Sequence, residues 1–448
     1  MQPDISAQKS AMAAASVPWY KELNSYHWLV LVVASLGWMF DTMDQQLFNL
    51  ARRPAIIELL GAAPGDPRIQ AYGGYATAIF MIGWALGGIV FGILGDRIGR
   101  VKTMITTILF YSAFTGLSVL STGVWDFSAY RFLTGLGVGG QFAVGVSLVA
   151  ETMPDRARPF ALGWLQALSA VGNMMAALAG MTLGHMEESG LLAASAWRYM
   201  FIIGTLPALL AIIVFKKLHE PESWVRARAE KKKLGSMGDL FSDPRWRKNS
   251  IVGMLLALSG VVGLWGIGFF SFDLLRSVLD AQGLGDKATF WTGVASLLQN
   301  GGAFFGIYAF THLTARIGRR KAFAISFVAA MGATAFTFWN LDSISDIFWM
   351  IPIMGFCQLA LFGGYAIYLP ELFPTRLRST GTSFCYNVGR LAAALGPFFL
   401  GQLSSGVFGG FDEVTRFRYA GVTMCAAFLI GLLALPFAPE TKDQPLPE

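Results

Sequence analysis

Two aspartates three residues apart, Asp41 and Asp44, interrupt an otherwise apolar stretch. On a helix that spacing puts both on one face. An apolar setting disfavours an ionised carboxyl, and two neighbouring carboxylates disfavour each other's ionisation. The pair is therefore suited to taking up and releasing a proton, with Asp41 as carrier and Asp44 as helper. Far along the chain, Arg390 ends the run Tyr386-Asn387-Val388-Gly389-Arg390, again among apolar residues. Arginine keeps its charge and offers a planar fork that matches a carboxylate. We expect an anion site at Arg390, helped by Tyr386 and Asn387; the competing reading is a structural ion pair with Asp41 or Asp273. Gln166, Gln299, Asn300 and Gln358 are candidates for hydrogen-bonding a substrate or one another. Gln299 and Asn300 lead, because two adjacent amides do not both face lipid. Asp273 and Arg276 read as a local pair.

The elements that position these residues follow from composition. The 448 residues are 54% hydrophobic and 14% charged, against about 25% charged in soluble domains. Mean hydropathy is +0.52. Apolar blocks are long enough to cross a hydrocarbon core of about 30 Å, and lipid offers an open backbone no partner, so each block must be a helix. Twelve spans are expected near 27–50, 71–95, 103–123, 125–152, 159–185, 197–218, 249–276, 288–310, 321–340, 346–369, 380–403 and 419–438. Residues 1–26 read as a cytoplasmic tail rather than a signal peptide. Alternate loops carry the cations, which marks the cytoplasmic side and places both termini there. Arg52 and Arg53 break this pattern and read as snorkelling at the outer end of helix 1, the alternative being a positive funnel for anions. The net charge of +6 is spent on topology, not on nucleic acid. Cys357, Cys385 and Cys425 fall inside spans, and the four histidines are scattered, so neither a disulfide framework nor a metal site is expected. Gly135-Leu136-Gly137-Val138-Gly139-Gly140 lies within a span with no preceding strand, which excludes a dinucleotide loop and suits close helix packing. With no phosphate-binding loop either, we expect no cofactor and no enzymatic activity.

The chain is duplicated. Glu151-Thr-Met-Pro154-Asp-Arg-Ala-Arg158 reappears 220 positions later as Glu371-Leu-Phe-Pro374-Thr-Arg-Leu-Arg378. Arg97-Ile-Gly99-Arg100 reappears 219 positions later as Arg316-Ile-Gly318-Arg319, and Pro221-Glu222-Ser223 is echoed 218 positions later by Pro439-Glu440-Thr441. The expected organisation is an all-α membrane protein: a six-helix bundle over 27–218, a basic cytoplasmic linker over 219–248, a second bundle over 249–438 and a tail over 439–448. Parallel repeats of this kind suit two bundles that rock about a midplane site.

Gly92-Ile-Leu-Gly95-Asp96-Arg97-Ile-Gly99-Arg100-Val-Lys102 resembles the signature between helices 2 and 3 of the major facilitator superfamily. The resemblance runs along nearly the whole chain and implies the twelve-helix major facilitator fold. In the second copy Ala315 replaces the aspartate, so the lock there should be weaker. The paired Glu-x-x-Pro-x-x-x-Arg segments and the Pro-Glu-Ser/Thr tails resemble the sugar porters and metabolite:proton symporters. By that resemblance Asp96, Arg97, Gly99, Arg100, Glu151, Arg158, Glu222, Arg316, Arg319, Glu371, Arg378 and Glu440 form a cytoplasmic gate. The Asp-x-x-Asp of helix 1 resembles that of organic-acid:proton symporters, although Thr42 stands where they carry glycine. Arg390 sits where helix 11 of organic-anion carriers holds an arginine against the anion. Arg131, four residues before Gly135, resembles the arginine-glycine motif of proton-coupled members and is expected to tune Asp41 or Asp44, or else to lie in the outer interface.

The reading that results is a monomeric inner-membrane carrier whose partners are protons, a small organic anion and the bilayer. A sugar or polyol porter is the rival, but helix 7, Leu264-Trp265-Gly266-Ile267-Gly268-Phe269-Phe270-Ser271-Phe272-Asp273, lacks the paired glutamines that resemblance to sugar porters requires. A non-transporting sensor is a third reading.

Overall fold

The computed structural model describes residues 18–448 except 64–65, 394, 396–398 and 400–401. Residues 1–17 of the expected tail, and Gly396 and Pro397 of helix 11, lie outside the described residues. Twelve membrane-crossing helices follow in order: α1 Ser25–Leu60, α2 Pro67–Arg97, α3 Arg100–Ser118, α4 Val124–Thr152, α5 Arg158–Glu188, and α6 as Ala196–Ile203 with Pro207–Lys217. After two short helices, Glu222–Ala229 and Met237–Ser242, come α7 (Pro244–Val261, resuming at Ser271–Ala281), α8 Ala288–Ile317, α9 Arg319–Asn340 and α10 Ile344–Glu371. The last two are α11, Arg378–Ala393, and α12, Glu413–Met424 with Ala427–Ala434.

Several boundaries differ from expectation for local reasons. Helix α1 continues through Pro54 to a left-handed cap at Gly61, because Ala51, Ala55 and Ile56 are still buried beyond the apolar run. Helix α7 starts early because Asp243 accepts from the N–H groups of Arg245 and Trp246 and Pro244 suits the first helical turn. Midway, α7 changes winding: Val262–Ile267 is a π segment and Gly268–Phe270 a 3-10 turn.

Glycines set the tightest packing. A β-carbon at Gly87 would strike the Leu136 carbonyl, and one at Gly139 the Trp84 carbonyl, so α2 and α4 touch backbone to backbone. The second half repeats this between α8 and α10, with Gly302 on Pro352 and Gly306 on Phe356. The halves meet through α2 with α11, α5 with α8 and α10, and α4 with α11. Both ends of the described chain lie on one face: Trp19 stacks on Phe160 at 5.7 Å, and the Pro447 carbonyl accepts from Arg378 at 3.0 Å.

Candidate transport site

Asp41 and Asp44 are both buried near the middle of α1, yet their surroundings differ. Thr115 of α3 donates to Asp44 Oδ1 at 2.8 Å, and Arg131 Nη1 of α4 lies 3.7 Å from its other oxygen. Arg131 is held by the Ser118 hydroxyl at 2.7 and 3.1 Å and by the ring of Phe201, 4.4 Å from its centroid. It therefore sits in the core of the first half rather than in the outer interface. Neither oxygen of Asp41 has a hydrogen-bond partner among the described residues. The charges acting on it come from Asp44 and Arg390. Thr42 donates across to the Ser169 carbonyl at 3.1 Å and so docks α1 on α5.

Arg390 reaches this region from α11. It is 4% exposed, and its Nε and Nη1 have no partner among the described residues. Its guanidinium lies between two rings, Trp84 at 3.7 Å and Tyr386 at 4.3 Å, an arrangement that stabilises a desolvated cation. Tyr386 stacks on Phe142 at 4.2 Å, and Phe142 packs on Trp38 at 4.9 Å. An aromatic ladder thus joins the halves. Asn387 donates to Ser383 at 3.0 and 3.1 Å, leaving its Oδ1 unpartnered, as are Trp84 Nε1 and Tyr111 Oη. A buried polar atom without a partner is destabilising by about 1–3 kcal/mol. Orphans of both signs gathered on facing helices are what a polar ligand and a proton would satisfy.

Beside this set is a cavity of about 40 Å³, lined by Gln46, Asn173, Trp265, Gln299 and Asn300 with apolar neighbours. Trp265 meets Trp84 edge-on at 6.1 Å. Asn173 donates to Asn300 Oδ1 at 2.9 Å across the halves, and Gln299 Nε2 is unpartnered. The cavity has room for a few waters, less than an organic solute needs. Gln166 and Gln358 stay within their own halves: Trp38 donates to Gln166 at 3.1 Å, and Gln358 donates to Thr334 at 2.7 Å.

Charges cluster on the terminus-bearing face. Arg100 pairs with Asp96 and with Glu151, both at 2.8 Å, and donates to the Thr375 carbonyl at 2.7 Å. Arg378 reaches across to Glu151 at 2.7 Å. Asp96 accepts from the Ser379 N–H at 3.1 Å and from the Thr380 N–H and hydroxyl at 2.8 and 2.6 Å, where the positive end of α11 favours it. In the second half Arg319 pairs with Glu371 at 2.8 Å, and Glu440 accepts from the Arg319 N–H at 2.9 Å. Arg97 donates to the Gly235 carbonyl of the linker at 3.1 Å. Gly99 has φ +115°, and a β-carbon there would meet Glu220.

Five expectations need correction. Glu222 is exposed; the carboxylate that caps α3 is Glu220, which accepts from the Arg100 N–H at 2.6 Å. Arg316 is exposed and contributes its carbonyl, which accepts from Lys442 at 3.2 Å. Arg158 pairs with Asp155 of its own loop at 2.5 Å, because Asp155 is three residues away. Asp273 and Arg276 do not close to an ion pair among the described residues; Asp273 feels the charges of both Arg276 and Arg52. Arg52 does not snorkel but turns inward to Thr77 at 2.6 Å.

Comparison with known proteins agrees with this architecture. The chain is 29% identical to the cis,cis-muconate transport protein of Acinetobacter baylyi over 94% of its own length and 97% of that protein's. It is 26% identical to the niacin transporter NiaP of the same species, over 84% of this chain and 87% of that one. The fold matches the proton:xylose symporter XylE with a TM-score of 0.72 at 17% identity, covering 94% and 98% of the two chains. The family model described as Major Facilitator Superfamily matches residues 34–397; the chain is a multi-pass membrane transporter, not an enzyme, and belongs to that superfamily.

Proposed function

We propose that this protein couples the entry of one proton to the entry of one small organic anion bearing a carboxylate. The observation that carries the reading is the set of buried unpartnered atoms: both oxygens of the Asp41 carboxyl on one half, and Nε and Nη1 of the Arg390 guanidinium on the other. A substrate carboxylate would take the Arg390 fork between Trp84 and Tyr386, while Asp41 takes the proton. Asp44, held by Thr115 and Arg131, tunes Asp41. Relatives named for muconate and niacin transport support an organic-acid class. The basic loops support a bacterial inner-membrane placement with both termini cytoplasmic. On that placement the clusters at the terminus-bearing face are a closed inner gate.

The test is uptake into proteoliposomes. One proton with one monovalent anion moves no net charge, so a membrane potential, worth about 2.3 kcal/mol per charge per 100 mV, contributes nothing. A pH gradient contributes about 1.4 kcal/mol per unit. Uptake should follow the pH gradient and ignore a potassium–valinomycin potential. Arg390→Ala should weaken apparent affinity strongly and Arg390→Lys less. Normal affinity in Arg390→Ala would sink the reading. The amide-lined cavity favours a second reading, a hydroxyl-rich neutral substrate; uptake driven by both gradients would select it.

A further inference from the structure

A groove of about 260 Å³ lies outside the transport site, between α8, α9 and α10. Its walls include Phe310 and Leu313 of α8, Ile325 and Ala329 of α9, and Phe356 and Cys357 of α10. Ile325 is 52% and Phe356 39% exposed. The groove therefore opens outward, and in a membrane-spanning chain outward is toward acyl chains. Helix geometry extends its walls to the terminus-bearing face. Arg316 follows Leu313 by three residues on α8, and Lys321 precedes Ile325 by four on α9, so each cation continues a lining face. Both side chains are exposed, and neither has a carboxylate partner among the described residues.

The corresponding place in the first half is packed differently. By the 219-residue repeat, Phe110 occupies the place of Ala329 and Phe91 that of Phe310. Phe110 packs edge-on against Phe91 at 6.1 Å and fills the space that Ala329 leaves open.

We propose that this groove seats one acyl chain of an anionic phospholipid whose headgroup lies against Arg316 and Lys321. A lipid tail gains little by exchanging one apolar neighbour for another. Preference must therefore come from the headgroup, and two cations at the mouth supply it. The proposal is independent of what the transport site carries.

Native mass spectrometry of the purified full chain with equimolar dioleoyl phosphatidylglycerol and phosphatidylcholine tests it. Phosphatidylglycerol should be retained roughly five- to thirty-fold over phosphatidylcholine, as one or two cations near a lipid surface provide. Arg316→Gln with Lys321→Gln, both on the surface, should abolish the preference, and Ala329→Phe should abolish retention of both lipids. As a reading that needs no variant, phosphatidylglycerol but not phosphatidylcholine should slow maleimide labelling of half-buried Cys357; Cys385 and Cys425 are buried. Equal retention of the two lipids by the unaltered chain, unchanged preference in the double variant, or Cys357 labelling indifferent to phosphatidylglycerol would each overturn the proposal.

Discussion

The two halves carry the same charged loop, but it does different things in each. In the first, Asp96 reaches across to the start of α11, and Glu151 is shared by Arg100 of its own half and Arg378 of the other. In the second, Glu371 serves Arg319 and accepts from Thr441 at 2.5 Å, both in its own half. The difference is built from coordinated substitutions. Ala315 stands in place of Asp96 and has no carboxylate to offer. On the opposing α5, Pro159 and Phe160 stand where α11 has Ser379 and Thr380, which removes an N–H and a hydroxyl. Donor and acceptor have gone together. A duplicated chain therefore keeps one bridge between its halves and turns the other copy into an internal brace.

The sharpest way to break this comparison is Glu151→Gln against Glu371→Gln. Removing one partner of a buried ion pair is destabilising by about 3–5 kcal/mol. For Glu151 that loss falls on contacts between halves, so cysteines placed in the cavity opposite the terminus-bearing face should label far more slowly. Glu371→Gln should cost a similar free energy of unfolding, seen as a lowered melting temperature, and leave labelling unchanged. Equal effects on labelling would end the distinction. A smaller effect, about 1–3 kcal/mol, is expected from Asp96→Asn, whose amide cannot accept from both α11 N–H groups and the Thr380 hydroxyl. Ala315→Asp alone should restore no bridge, and a double-mutant cycle with Phe160→Thr would report any coupling.

The smallest effect concerns the linker. Asp239 pairs with Lys233 and with Arg376, each at 3.0 Å, and the Lys233 ammonium holds its carboxyl below the usual carboxylate range. A carboxyl depressed in the folded state stabilises at pH above its unfolded value, about 3.9, and loses that contribution as pH falls through the folded one. Asp239→Asn should change stability by less than about 1 kcal/mol at pH 7. The difference from the unaltered chain should shrink progressively in melts taken below about pH 4, as pH falls toward and through the folded value.

The spans, the duplication and the charged clusters of the terminus-bearing face were legible because each is a property of runs or repeats. Membrane helices announce themselves by length, and copied loops by offset. Partners on facing helices were not legible. Trp84, Phe142, Tyr111 and Thr115 surround the candidate site, yet they lie on helices buried on more than one face, where periodicity does not single out a face. One miss did leave a trace. The Pro-Glu echo ran at 218 positions while the larger repeats ran at 219 and 220. Holding to 220 would have matched Glu440 with Glu220, the residue that caps α3, instead of with exposed Glu222.

The broken winding of α7 bears on how so small a cavity could ever admit a solute. Leu264 and Trp265, two of its wall residues, sit inside the π segment, and the 3-10 turn follows at once. A regular helix resists bending because each turn is stapled to the next; where the staples change spacing, stiffness falls. That stretch of the wall is thus where the winding of α7 is least regular. Among the described residues the other π segment, Gln402–Val407, also belongs to the second half. Both π segments among the described residues thus lie in the half that the bridge of Asp96 and Glu151 ties to the other.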